Sequence, residues 1–194
     1  PFEEFFQPAI KISEILEKIH QRNIIHKDIN PSNLVFNPQT NHLKFIDFGI
    51  STELSQEIPI INNPEVLEGT LAYMSPEQTG RMNRRMDYRT DIYSLGVTFY
   101  EMITNRLPFE TSDPMELVHS HIAKTPIEAK KINPNVSVEL SEIISKLMEK
   151  RAEDRYQSLS GLKYDLLLCQ KEQESTEKRN FKIGQRDISN RFQI

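Results

Sequence analysis

A single cysteine, Cys169, occurs in the 194 residues, so no internal disulfide can form and a reducing, cytosolic setting is expected. A basic surplus is also missing. The net charge of −4 and pI near 5.8 exclude the usual electrostatic footprint of a nucleic-acid binder. No apolar run approaches the roughly 18 residues that a membrane span needs, and no signal peptide opens the chain. Internal repeats and low-complexity tracts are absent. The initiator methionine is absent too: the chain opens at Pro1 with Phe2, Phe5 and Phe6, and reads as a fragment. What remains is the composition of an intracellular globular domain, or a large part of one, with room for a real core.

Periodicity places the elements. Ile12, Ile15, Leu16 and Ile19 recur at helical spacing and predict an amphipathic helix over Pro8–His20. Ile24-Ile25 and Leu34-Val35-Phe36 read as short strands around a polar loop, His26 to Asn33. Asn37 to Asn41 is a turn, and Leu43 to Ile46 a strand. Residues Ile50 to Leu67 form a long loop without a clean period, and such loops are usually functional. Asp91 to Ile103 is helical and apolar on most sides, which predicts a buried central helix. Pro114–Ala123, Ser141–Lys150 and Ser158–Cys169 read as three more helices, followed by a charged run from Lys171 to Arg179 that suits a solvated helix end or linker.

The chemistry concentrates in His26-Lys27-Asp28-Ile29-Asn30-Pro31-Ser32-Asn33 and, after the strand pair, Asp47-Phe48-Gly49. A carboxylate, an amide five residues on, and a second carboxylate opening a glycine turn suit phosphoryl transfer. Asp28 can orient a hydroxyl nucleophile, while Asn33 and Asp47 offer the hard oxygen donors that hold magnesium against the phosphates of ATP. Gly49 permits the turn that aims Asp47, and Phe48 is expected to pack inward. An isolated Asp-Phe-Gly is weak evidence. Two motifs in this order and separation are much harder to obtain by chance.

Downstream lie Gly69-Thr70-Leu71-Ala72-Tyr73-Met74-Ser75-Pro76-Glu77, then Asp91-Ile92-Tyr93-Ser94-Leu95-Gly96-Val97, then Arg155 in Arg151-Ala152-Glu153-Asp154-Arg155-Tyr156. With the loops above, this ordered series resembles the C-terminal lobe of eukaryotic-type serine/threonine protein kinases over roughly Pro8 to Cys169. The block Met74 to Arg85 and the tail Gly184 to Phe192 further resemble large bacterial signalling proteins, in which a kinase domain precedes an ATPase-like module and a sensor histidine kinase.

The resemblance implies a mainly α fold, a helical lobe with short β-hairpins carrying the catalytic and metal loops. Residues 1–170 would be the lobe, and 171–194 a charged linker with the start of a following module. It implies catalytic roles for Asp28 and Asn30, with ATP held at Asn33, Val35 and Asp47, and Mg2+ at Asn33 and Asp47. Thr70 and Glu77 would belong to the substrate and activation segment. His26, Phe48, Gly49, Asp91 and Arg155 would give structural support, with Asp91 capping the catalytic-loop backbone and Arg155 pairing with Glu77. The partners implied are a protein substrate, an N-terminal lobe absent here and downstream modules in cis, in a cytoplasmic protein without nucleic acid or membrane span.

Two positions depart from the family pattern. Lys27 stands where an arginine usually grips a phosphorylated loop, and lysine is a poorer fork for that purpose, which weakens the case for Ser51, Thr52 or Ser55 as controlling phosphosites. Asn30 stands where a lysine usually faces the γ-phosphate, so slower transfer is expected, with Asn30 free to bond phosphate or Thr70. No glycine-rich loop and no paired strand lysine appear, so the fragment alone is expected to bind ATP poorly. A regulatory or docking module with the same fold and little catalysis is the alternative. His119 and His121, one residue apart, would face different ways on a helix. Arg81, Arg84, Arg85 and Arg89 form a basic cluster that suits either a solvated loop or an acidic partner. Cys169 reads as a core residue.

Overall fold

The computed structural model describes residues 3–48, 51–53, 71–81, 85–174 and 181–188. The expectations for Gly49, Ser55, Gly69, Thr70 and Arg84, and for the tail beyond Ile188, lie outside those residues. Helix α1 spans Glu3–Gln21, β1 Ile24–Ile25, β2 Leu34–Asn37, β3 His42–Phe45 and β4 Thr52–Glu53. Then follow α2 (Arg89–Thr104), α3 (Pro114–Ala123), α4 (Ala129–Ile132), α5 (Val138–Leu147) and α6 (Leu159–Glu174), with 3-10 turns at Pro31–Asn33, Leu71–Tyr73, Pro76–Thr79 and Ala152–Asp154. The fold is the mainly helical lobe that the sequence implies. Its strands form two antiparallel pairs, β1 with β4 and β2 with β3.

Helix α2 is the axis. Ile92, Tyr93, Leu95, Val97, Phe99 and Tyr100 are all buried, so no face is left for water. Gly96 lets α5 approach it: a Cβ there would lie 2.7 Å from Leu147 Cβ. Helix α1 starts five residues before the predicted Pro8. Phe5 and Phe6 are buried, and Phe5 meets Phe99 edge-to-face at 5.4 Å, so aromatic packing outweighs the loss of one helical hydrogen bond at Pro8.

Helix α5 begins at Val138 rather than Ser141, because Ser137 supplies the cap by accepting from the Leu140 N–H. Ser141 instead turns its hydroxyl to the Lys130 N–H, a tertiary contact with α4, which the sequence analysis did not identify. Cys169 is buried in the core. Residues 181–188 return to the lobe, with Phe181 and Ile183 against the core. None of the helices among the described residues is long and apolar enough to cross a membrane.

Candidate active site

The loop between β1 and β2 is built around Asp28. Its Oδ1 accepts from Asn30 Nδ2 at 2.8 Å and its Oδ2 from Asn33 Nδ2 at 2.7 Å. The Asn33 amide also donates to the Asp28 carbonyl at 2.9 Å, leaving its Oδ1 without a donor among the described residues. Asn30 caps the Pro31–Asn33 turn through its Oδ1, which accepts from the Asn33 N–H. Both polar ends of Asn30 therefore serve the loop itself, a use that the sequence did not suggest.

The β2–β3 hairpin brings the second carboxylate alongside. Leu34 pairs with Phe45, and the Ile46 N–H donates to the Asn33 carbonyl at 3.0 Å, so the strand that ends in Asp47 runs back beside Asn33. Asp47 is exposed and has φ +60°, while Lys27 has φ +69°. Side chains other than glycine rarely adopt that region, and such residues cluster at functional sites. Val35, Ile46 and Phe48 are exposed on the same hairpin and turn.

Phe48 corrects an expectation: 46% of it is exposed, not packed inward. It meets the His26 ring, with centroids 4.6 Å apart. His26 itself is fully buried, and burial holds its imidazole below the ordinary value against the pull of Asp91 and Asp28. Ser51 donates its hydroxyl to the His26 carbonyl.

Beneath this face lies a buried frame. Asp91, in the first turn of α2, accepts from the His26 N–H (2.8 Å) and the Lys27 N–H (2.7 Å), and its Oδ2 also meets His20 Nε2 at 2.8 Å. A carboxylate suits that helix end, where the dipole is positive. His20, near the end of α1, escaped the sequence reading, since a lone histidine on a helix carries no signal. Gln78 was readable: Ser75 to Gln78 is a serine-to-glutamine capping box. Gln78 also donates to the Lys27 carbonyl at 2.9 Å, tying the Pro76–Thr79 turn to the loop that follows β1.

Glu77 and Arg155, 78 residues apart, form a bidentate pair at 2.6 and 2.8 Å, with Arg155 fully buried. Burial alone would raise the Glu77 carboxyl, but the bonds and charge of Arg155 outweigh it and hold the group below its ordinary value. Thr90 donates to Glu77, and Ser94 donates to the Tyr73 carbonyl. The segment 71–74 rests on α3 through Leu71, Leu117, Val118 and Met74. There His121 is buried and bonded to the Tyr93 hydroxyl, whereas His119 faces solvent. In the basic cluster, Arg89 is committed to Asp87, while Arg81 and Arg85 are exposed.

Three groups of relatives share this arrangement of sequence. A probable serine/threonine-protein kinase of Clostridium perfringens is 36% identical over 86% of the chain and 24% of its own length. Serine/threonine-protein kinase PknB of Mycobacterium leprae is 33% identical over 83% of the chain and 26% of its own. The hybrid signal transduction histidine kinase G of Dictyostelium discoideum is 32% identical over 84% of the chain, which is 7% of that protein. The chain thus spans about a quarter or less of these relatives' lengths. The protein kinase domain family matches residues 4–167, and with the catalytic loop, the hairpin and the buried Glu77–Arg155 pair already in place, the chain belongs to that family.

Proposed function

We propose that the intact protein transfers the γ-phosphoryl group of ATP to serine or threonine hydroxyls of a protein substrate, and that this chain supplies the large-lobe half of the site. The observation that carries the reading is Asp28, whose two oxygens are each fixed by a carboxamide of the same loop. A carboxylate oriented in that way can accept or steer the proton of an incoming hydroxyl. The Asn33 Oδ1 and the exposed Asp47 carboxylate are the donors that would hold Mg2+. Two hard oxygens, with remaining positions left to phosphate and water, suit that ion. Bound there, the ion would neutralise charge on the phosphates. Val35, exposed at the mouth of the hairpin, offers an apolar surface for the nucleotide. Thr70 would help to place the substrate residue, and the frame of Asp91, Glu77 and Arg155 keeps the two loops in register. A cytoplasmic location and further modules in cis complete the reading.

One observation favours a second reading, a docking or regulatory module of the same fold. With Asn30 in the family's lysine position and its amide bonded within the loop, position 30 supplies no cation for the γ-phosphate. The test is transfer of labelled γ-phosphate with magnesium by the intact protein, extended upstream of Pro1, against serine- and threonine-containing substrates. Transfer expected from the enzyme requires Mg2+. A folded protein that binds ATP and transfers nothing would move the assignment to the module.

A further inference from the structure

Residues 181–188 take no part in the chemistry above, yet they are fastened to the lobe. The Gly184 N–H donates to Asp165 Oδ2 at 2.6 Å, the oxygen that also accepts from the Tyr156 hydroxyl. The Arg186 guanidinium lies over the Tyr164 ring at 4.2 Å. Asp187 makes the strongest attachment. Its carboxylate accepts from the Gln157 N–H on both oxygens (2.9 Å each), from the Ser158 N–H (2.8 Å) and from the Ser158 hydroxyl (3.0 Å). These residues immediately precede α6, whose cap is Ser158 itself, its Oγ accepting from the Gly161 N–H at 3.1 Å, so a distant carboxylate braces the capping residue. Gly161 makes room for it: a Cβ there would lie 2.7 Å from Asp187 Cα.

Gln157 joins this attachment to the site. Its Oε1 accepts from Arg89 Nη1 (2.9 Å), its Nε2 donates to the Arg155 carbonyl (2.7 Å), and its own carbonyl accepts from the Tyr88 hydroxyl (2.9 Å). Arg155 in turn donates to the Arg89 carbonyl at 2.9 Å while holding Glu77. One residue, held by Asp187, thus touches both the loop that carries Arg155 and the start of α2 that carries Asp91. Burial pushes the Asp187 carboxyl above its ordinary value even against the bonds it accepts.

We propose that residues 181–188 are a latch and Asp187 a positioning residue: docked, it fixes Gln157 and so the Arg155–Glu77 pair beneath the substrate segment, and undocked, it loosens that segment. Chain beyond Ile188 continues directly from the latch, so a partner or module that displaces it acts on substrate binding. The effect on substrate rests on the kinase reading; the effect on the segment does not.

The test uses the intact protein with Asp187→Ala, with Gly161→Ala, which crowds the latch and leaves Asp187 itself intact, and with Asp187→Asn, which retains an acceptor. Hydrogen exchange at the amides of Gln78, Gly80 and Arg81 is expected to rise about tenfold or more in the first two variants and little in the third, while the Ile46 amide in the hairpin is unchanged. The KM for a peptide substrate should rise about fivefold in the same two variants, with kcat and the KM for ATP held. Faster exchange confined to residues 157–165 would overturn the proposal and leave Asp187 as a brace for the start of α6. Faster exchange at 78–81 in a protein that transfers no phosphate would support the latch and remove the kinase reading.

Discussion

Two regions of the lobe, distant in sequence but in contact through the Asp91 bonds to the His26 and Lys27 amides, are held in opposite ways. On the catalytic face Asp47, Val35, Ile46 and Phe48 are exposed, and Asp28 is half-buried. Beneath it Asp91 and Arg155 are fully buried, Glu77 is nearly so, and each is bonded to two or more partners. The groups that would meet reactants are thus cheap to alter for stability, and the groups that place them are not. A buried charge without its partner is among the costlier defects a fold can carry. The lobe tolerates these charges only because each is answered: Asp91 by backbone amides and His20, Glu77 by Arg155 and Thr90.

That contrast can be broken most forcefully at Arg155. Arg155→Ala leaves the Glu77 charge buried with the Thr90 hydroxyl but without its counter-charge, and chemical denaturation should record a loss of about 3–5 kcal/mol. Protonation of Glu77 offers a milder route to the same end. Its folded value lies below the unfolded 4.5, so its contribution is present above pH 4.5 and is lost as the pH falls further.

His121 gives the next largest effect. Burial, with Lys150 nearby, lowers its imidazole from 6.5 to about 4. Below pH 6.5 the unfolded chain takes up a proton that the folded one refuses, so stability falls as the pH drops toward 4 and is regained as it rises. The loss reaches on the order of 3 kcal/mol. Denaturation midpoints measured across that range in wild type and His121→Gln should differ in slope, the variant being flatter.

Asp91→Asn comes next. The His26 and Lys27 amides bond different oxygens of Asp91, so the variant keeps an acceptor for only one of them and turns an N–H toward the other, at a cost of about 2–3 kcal/mol. The smallest effect is expected at Asp28, where Asp28→Asn should change the unfolding free energy by no more than about 1 kcal/mol. A large loss there would erase the distinction between the two regions.

Much of this was legible in the sequence, and the misses have physical causes. Helix α3 could be bounded because Asp113 and Pro114 give a cap and a first turn that sequence alone defines. The start of α1 was misplaced because a tertiary contact, Phe5 on Phe99, decided it, and that of α5 because the local cap at Ser137 was not read. In the site, the spacing of Asp28, Asn33 and Asp47 pointed to one constellation, and the hairpin register accounts for the approach of its two ends. Arg155 and Glu77 were matched by motif and are in contact. Phe48 was misread because the motif does not state what would cover the ring. His20, Gln157 and Asp187 carried no local signal, since each has partners far away in the chain.

The most direct measurement sets transfer beside stability in the intact protein, for wild type and Asp28→Asn. The account predicts Mg2+-dependent phosphate transfer to serine or threonine that falls at least about a hundredfold in the variant, with the melting temperature moved by no more than a few degrees. Transfer that survives Asp28→Asn undiminished would contradict it.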